Sequence, residues 1–409
     1  MKPLQGLVVL DLTRYLAGPY CTLLLGGLGA EVIKVEPPGM GDSYRDRPPF
    51  GGPKGASLTR ETEDDIGLMI LHRARNKKSI TLNLRCSEGT DLFRQLSTKS
   101  DVIVENFLPG TLEKMGIGFP ILQAWNPRLI LCSISGFGQQ GPYREWRAFD
   151  PIIQAMSGIS AVTGYPDRPP VRCGVSISDT AASLYAVIGI LSALRLRETT
   201  GQGEWVDISM QDGSFFLLAE VLEFLVSGVI PERLGNAHLG VAPFNVYRAA
   251  DGYVTLCAVT ARDWQNVLAA LEREELAQDP RFDASPLSRR EHREEIDALL
   301  QQWIGERSMA EAIEILQAHQ VPAGPVLTPP ELLKDDHLLA REMVVDLSHP
   351  THGPMPGVKG AGMPIKFSRH PLAFDQPAPA LGAHNREIYG RLLGLDDAKL
   401  QALKEKGVI

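Results

Sequence analysis
Among the ionisable residues of this 409-residue chain, Asp179 occupies the position best suited to covalent chemistry. It follows the Gly174 to Ser178 segment and precedes an apolar run in which Ala181, Leu184, Val187, Ile188, Leu191 and Leu194 recur at helical spacing. As a helix N-cap, an aspartate accepts orphan backbone N–H groups and contributes about 0.5–2 kcal/mol. The positive end of the same helix favours the ionised carboxylate, the form a carboxylate nucleophile needs. On the residues alone, both roles stay open. Other patterns lead nowhere. Gly26, Gly27 and Gly29 follow a predicted helix and suit its C-terminal cap, whereas a dinucleotide fingerprint places glycines between strand and helix. No P-loop motif and no GxSxG elbow is present. His349 and His352 lie in a proline-rich stretch without HExxH or a cysteine cluster, so no metal site is expected.

The elements that must hold Asp179 alternate between strand and helix. Leu7 to Leu12 and Glu31 to Glu36 read as buried strands around a helix from Pro19 to Leu28, with proline in its first turn. Strands follow at Ser79 to Asn83, Asp101 to Asn106 and Leu129 to Ile134, with a helix from about Glu88 to Lys99. This repetition predicts an α/β fold, a mostly parallel sheet with helices on both faces. The helix from Asp179 to Arg197 is apolar enough to be buried on most of its circumference. A helical stretch from Asp212 to Val226 leads to a boundary near residue 225. Charged amphipathic helices at Ser288 to Glu306 and Met309 to Gln320 then mark a smaller domain. The Pro- and Gly-rich segment from Val321 to Phe374 returns the chain to the first domain, and a helix from Asn385 to Leu393 closes it.

Composition narrows the class. With 44% hydrophobic and 22% charged residues the chain is an ordinary globular protein. Forty-one basic against 49 acidic side chains, a net charge of -8, give no reason to expect a nucleic-acid partner. Five scattered cysteines without a CxxC pair point to reduced thiols and a cytoplasmic location. Tyr15 to Ala30, an uncharged stretch that no other exceeds in length, is broken by glycine and proline and falls short of the roughly 20 apolar residues that span a bilayer, so no membrane association is expected.

Seven segments share one pattern: DLTRYLAGPY (11 to 20), LGAEVIKVEPPGMGD (28 to 42), NKKSITLNLR (76 to 85), DVIVENFLPGTLEKMGIG (101 to 118), NPRLILCSISGFGQQGPY (126 to 143), the stretch from Gly174 to Asp212, and PALGAHNREI (379 to 388). In these the chain resembles the class III CoA-transferases, which include formyl-CoA transferase and carnitine CoA-transferase. The resemblance implies a large Rossmann-like domain from both chain ends (1–224 and 326–409), a smaller α+β domain (225–325), and two subunits threaded through each other as interlocked rings. Whether the two are identical or homologous stays open.

The resemblance places the nucleophile on Asp179 and implies transfer through mixed-anhydride and aspartyl-CoA thioester intermediates. Coenzyme A is then part of the substrate, and no tightly bound cofactor is implied. Family CoA positions fall on Leu82, Arg85, Asn106, Phe107 and Lys114. A substrate or oxyanion loop falls on Leu16, Ala17, Ser135, Gly136, Gly138, Gln139 and Gln140, although glycines and polar residues also mark simple turns. Pro37 and Leu16 depart from formyl-CoA transferase, which has arginine and glutamine there. Tyr15, Arg45, Arg47, Arg172 and His238 are polar or cationic residues able to approach an acyl pocket. GDSYRDRPPF (41 to 50) and HLGVAPF (238 to 244) look like members acting on succinyl-CoA and on C4 or C5 dicarboxylates or hydroxy-dicarboxylates. An alpha-methylacyl-CoA racemase is the first alternative, but Phe149 stands where it needs a proton-carrying histidine. A non-catalytic CoA-binding protein is the second, marked by loss of the nucleophile, which this chain retains.

Overall fold
A computed structural model describes residues 1–228, 230 and 232–409. The chain forms two compact units. One takes Met1–Ile159, Cys173–Ala219 and Asp335–Ile409, and the other takes Ser160–Arg172 and Glu220–Lys334. The segment 160–172 thus leaves the first part of the chain, and the changeovers fall at 219/220 and 334/335 rather than at 224/225 and 325/326.

The larger unit is built on a six-stranded sheet of β1 (Val8–Asp11), β2 (Glu31–Glu36), β3 (Lys77–Thr81), β4 (Val102–Glu105), β5 (Ile130–Ser135) and β6 (Trp205–Ser209). Its order is β3-β2-β1-β4-β5-β6 and every pairing is parallel. The short, continuous apolar runs read from the sequence are strands buried on both faces. On one face Val9, Val32, Val104, Ile130 and Cys132 pack with α1 (Ala17–Gly27) and with Ala182, Ala186 and Ile190. On the other Leu10, Ile33, Ile80, Ile103 and Leu131 pack with Phe93 and Leu96 of α2 (Ser87–Ser97). Burying such side chains contributes roughly 1.5–3 kcal/mol each.

The sheet itself is not made from both chain ends, as the resemblance suggested. All its strands lie between residues 8 and 209, and the C-terminal part covers the β3 edge with side chains instead. Ser79 N–H donates to His384 Nδ1 at 3.2 Å, Thr81 N–H donates to Asn385 Oδ1 at 2.8 Å, and the Tyr389 hydroxyl donates to the Thr81 carbonyl at 2.8 Å. Two smaller antiparallel sheets, Phe50–Gly52 with Gly55–Ser57 and Ile66–Gly67, and Val344–His349 with Gly353–Ala361, complete this unit.

Six buried charges lie between β1, β2 and β3. Lys77 Nζ donates to Asp11 Oδ2 at 2.9 Å and to the Pro19 carbonyl at 3.0 Å. Lys34 lies 3.2 Å from Asp42, and Arg45 lies 2.7 Å from Glu36. Burial alone would raise the Asp11 carboxyl, but Lys77 and Lys34 outweigh it and hold it down at about 2.

The helix carrying Asp179 runs from Ile177 to Thr200. It is long and apolar enough by composition to cross a bilayer, yet Ala182, Ala186 and Ile190 are fully buried in the core of the unit. It is not buried on most of its circumference as expected. Leu184, Ile188 and Leu191 are 50%, 58% and 37% exposed, because only one of its faces meets the sheet and α1.

The smaller unit has a three-stranded antiparallel sheet, Phe244–Arg248, Tyr253–Cys257 and Ala323–Pro325. Its core includes Trp264, Leu300 and Leu316. The helix expected over 288–306 is two helices, Pro286–Glu291 and Arg293–Gly305, joined at His292 with φ -102° and ψ 27°. The stretch expected over 212–226 is likewise two, Met210–Phe216 and Glu220–Ser227.

Candidate active site
The strand order reverses between β1 and β4, so the loops leaving their C-terminal ends diverge and open a crevice, the place where doubly wound sheets bind ligands. Side chains fix both loops. Asn106, just past β4, accepts from Arg14 N–H at 2.8 Å and donates to the Arg14 carbonyl at 2.7 Å. Tyr15 adopts φ +67°, a left-handed conformation disfavoured for a bulky residue, and its carbonyl accepts from Arg73 Nη1 at 2.9 Å. The Ala17 carbonyl accepts from Ser183 Oγ at 2.7 Å.

A cavity of about 310 Å³ opens between these loops, the end of β5 and the start of the Asp179 helix. Its walls include Tyr15, Leu16, Ala17, Asn106, Phe107, Ser135, Gly136, Phe149 and Asp179. The Ser135 hydroxyl is buried there without a hydrogen-bond partner. An added Cβ at Gly136 would lie 2.7 Å from Ala148 Cβ, so glycine is what lets the two backbones approach. Among the described residues no histidine lines this cavity and no cluster suited to a metal ion is present.

Asp179 is not the N-cap. The helix begins one residue after Ser176, which makes no side-chain cap, and Asp179 lies in the first turn. Asp150 does the capping: its Oδ1 accepts from Ser178 N–H at 2.9 Å and from Asp179 N–H at 3.2 Å. Gln154 Nε2 donates to the other Asp150 oxygen at 2.6 Å. With the cap supplied from elsewhere, the Asp179 carboxylate accepts no hydrogen bond from the described residues. The surroundings oppose the expectation that the helix terminus holds it ionised at neutral pH. Burial and the Asp150 charge push its carboxyl up to about 7, and Arg73 offsets this only in part.

The glycine-rich loop divides. Ser135 and Gly136 line the cavity, whereas Gly138, at φ +80°, turns the chain toward β6, where Gln139 N–H donates to Asp207 Oδ2 at 2.9 Å. That amide is therefore spent on Asp207 and does not offer itself to an oxyanion. The Gln139 side-chain nitrogen is buried without a partner, and Gln140 is exposed.

Phe107 also borders a second cavity of about 430 Å³, with Leu12, Arg14, Pro37, Leu82, Arg85 and Met115. Leu82, Arg85 and Phe107 are thus brought together, with Asn106 on the 310 Å³ side. Lys114 is exposed at the end of a short helix, Thr111–Lys114, and lines neither cavity, although its neighbours Thr111 and Met115 line the larger one. Among the residues considered for the acyl pocket, Tyr15 lines the 310 Å³ cavity. Arg45 is committed to Glu36, and Arg47 lies over the Tyr44 ring at 5.7 Å. Arg172 and His238 belong to the smaller unit.

Sequence reading missed Arg14, Arg73, Arg147 and Asp150. Arg14 lies 5.8 Å from the Phe107 ring centroid, giving the larger cavity a second cation beside Arg85. Arg73 is buried among Tyr20 and Tyr44, at 5.7 and 5.3 Å from their centroids. Asp150 carried one signal, the Asp-Pro that opens a helix at Asp150–Met156.

Residues 4–385 match the family model for CoA-transferase family III. The succinyl-CoA–D-citramalate CoA-transferase of Chloroflexus aurantiacus is 42% identical over 100% of this chain and 98% of its own. The formyl-CoA:oxalate CoA-transferase of Streptomyces coelicolor is 37% identical over 100% and 99%. The crystal structure of a CAIB/BAIF family protein from Brucella suis superposes with a TM-score of 0.82 at 38% identity, covering 96% of this chain and 99% of that one.

Proposed function
The chain belongs to CoA-transferase family III, and from that membership we propose that it moves coenzyme A from a succinyl-CoA-like donor to a small dicarboxylate or hydroxy-dicarboxylate, with Asp179 as covalent carrier. The observation that carries this reading is the Asp179 carboxylate itself, which accepts no hydrogen bond from the described residues and lines a largely apolar cavity at the sheet's crevice. The carboxylate attacks the donor thioester carbonyl, expelling CoA thiolate and forming an acyl–aspartyl anhydride. The thiolate attacks the aspartyl carbonyl, giving an aspartyl-CoA thioester and the free donor acid. The acceptor carboxylate displaces CoA to form a second anhydride, and the returning thiolate attacks its acyl carbon, releasing the new acyl-CoA and restoring Asp179.

Leu82, Arg85, Arg14 and Phe107 line one cavity, which supports assigning the CoA moiety to it, with the arginines as partners for its phosphates. The partnerless Ser135 hydroxyl is placed to donate to a developing oxyanion or to a substrate hydroxyl. Phe149, 63% exposed on the cavity wall, cannot relay a proton, which argues against the racemase reading. The exposed Leu184, Ile188 and Leu191 support an obligate dimer that covers this stripe, and the free cysteines support a cytoplasmic location.

Incubation with acyl-CoA and hydroxylamine should convert Asp179 to a hydroxamate detectable by peptide mass spectrometry. Asp179→Ala should abolish transfer while retaining CoA binding. Undiminished transfer in that variant sinks the covalent reading. A panel of acyl-CoAs and acids that yields only monocarboxylate products sinks the substrate class.

A further inference from the structure
We propose that Arg147 determines specificity by receiving the distal carboxylate of a dicarboxylate whose other end reacts at Asp179; this deepens, and rests on, the dicarboxylate reading above. Of the residues lining the 310 Å³ cavity, only Asp179 and Arg147 are charged. Much of the remaining wall is apolar, including Leu16, Leu108, Ile134 and Met210. A second substrate carboxylate entering such a space is costly unless it is paired, and one cation is present to pair it.

Arg147 is also uncommitted. Arg45 is bound to Glu36, Arg73 to the Tyr15 carbonyl and Arg197 to Asp101, whereas the Arg147 guanidinium has neither an ion pair nor a hydrogen bond among the described residues. It does not neutralise the nucleophile either: the charges that act on Asp179 are those of Asp150 and Arg73. The backbone on either side of Arg147 is held. The Trp146 ring packs on Tyr143 at 4.4 Å, and Ala148 sits against Gly136 too closely to admit another carbon. Arg147 itself is exposed at the rim of the cavity, and its planar guanidinium fork suits two parallel bonds to a carboxylate. A lysine keeps the charge but not that geometry.

The test compares kcat/KM for succinate and butyrate as acceptors in the wild type, Arg147→Met and Arg147→Lys. Arg147→Met should cut the succinate-to-butyrate ratio by about 10- to 100-fold, chiefly through the KM for succinate, as expected for loss of a charged hydrogen-bonded pair. Arg147→Lys should recover part of it. Loss of folded protein scales both rates equally, so the ratio reports the folded fraction whatever its amount. A wild-type preference for succinate that persists in Arg147→Met overturns the role of Arg147 and spares the dicarboxylate reading. A wild type that uses butyrate as well as succinate overturns both.

Discussion
In the reaction proposed for it, Asp179 is governed first by burial and then by two neighbours of opposite sign, Asp150 and Arg73. Attack requires the ionised carboxylate, and burial with Asp150 pushes that carboxyl up to about 7. The rate of the first acyl-transfer step should therefore fall about tenfold per pH unit well below 7 and level off above it. Asp150→Asn keeps an oxygen for the Ser178 and Asp179 amides but removes the charge, so the midpoint of the pH–rate profile should move to lower pH; an unmoved midpoint counts against the electrostatic role of Asp150. The raised carboxyl also has a stability consequence. A group titrating higher in the folded state favours folding below its unfolded value, near 3.9, and loses that contribution as pH rises through about 7. Asp179→Asn should therefore be more stable than the wild type at pH 8, by on the order of 2 kcal/mol after allowing for partial solvent exposure, and this gain should shrink steadily toward pH 4. Thermal unfolding across that range checks both sign and trend. Asp179 was visible in the sequence because it borders an apolar run and falls within a family pattern. Arg73 and the Arg147 to Asp150 segment were not, the Asp-Pro pair apart, because folding brings two distant stretches of chain to Asp179 and no local periodicity records that meeting.

Strand and helix positions were largely legible where apolar runs were short and bounded. β2 falls on the expected residues, and β1, β4 and β5 lie within two residues of them. The hairpin of Phe244–Arg248 and Tyr253–Cys257 announces itself in the sequence chiefly through its turn pair, Asp251-Gly252, and was not among the expected elements. The helix Asp397–Glu405 was likewise passed over, despite the Asp396 side chain that accepts from Lys399 N–H at 2.8 Å. Burial of the Asp179 helix was overestimated because an all-round apolar helix does not state whether its own chain or another covers it. The buried charges are where element packing is most exposed to mutation. Lys77 joins β3 to Asp11 of β1 and to the Pro19 carbonyl in α1, and Lys34 donates to the Thr13 carbonyl in the loop that leads to the cavity. Lys77→Met strands the Asp11 charge in the interior and should cost about 3–5 kcal/mol in denaturant unfolding. A loss below 1 kcal/mol would mean that Asp11 finds another partner.

At the scale of the whole molecule, the exposed stripe of the Asp179 helix and the covered edge of β3 matter most. In the dimer proposed above, Ile188→Glu places a charge in the centre of the Leu184, Ile188 and Leu191 stripe, so sedimentation should show the wild type as a dimer and the variant shifted toward monomer with loss of activity; a monomeric wild type overturns the proposed dimer. An unchanged dimer would move the association surface elsewhere. The two-unit division was only approximately legible, since residues 160–172 give no compositional sign that they join the smaller unit. The β3 edge has a different consequence. Its amides at Ser79 and Thr81 are satisfied by His384 and Asn385, some 300 residues later in the chain. At translation rates of about 5–20 residues per second, a ribosome needs roughly 15–60 s to deliver that cover. Throughout that interval the nascent sheet presents an open hydrogen-bonding margin to neighbouring polysomes, and a holdase that shields it should raise the yield of native enzyme.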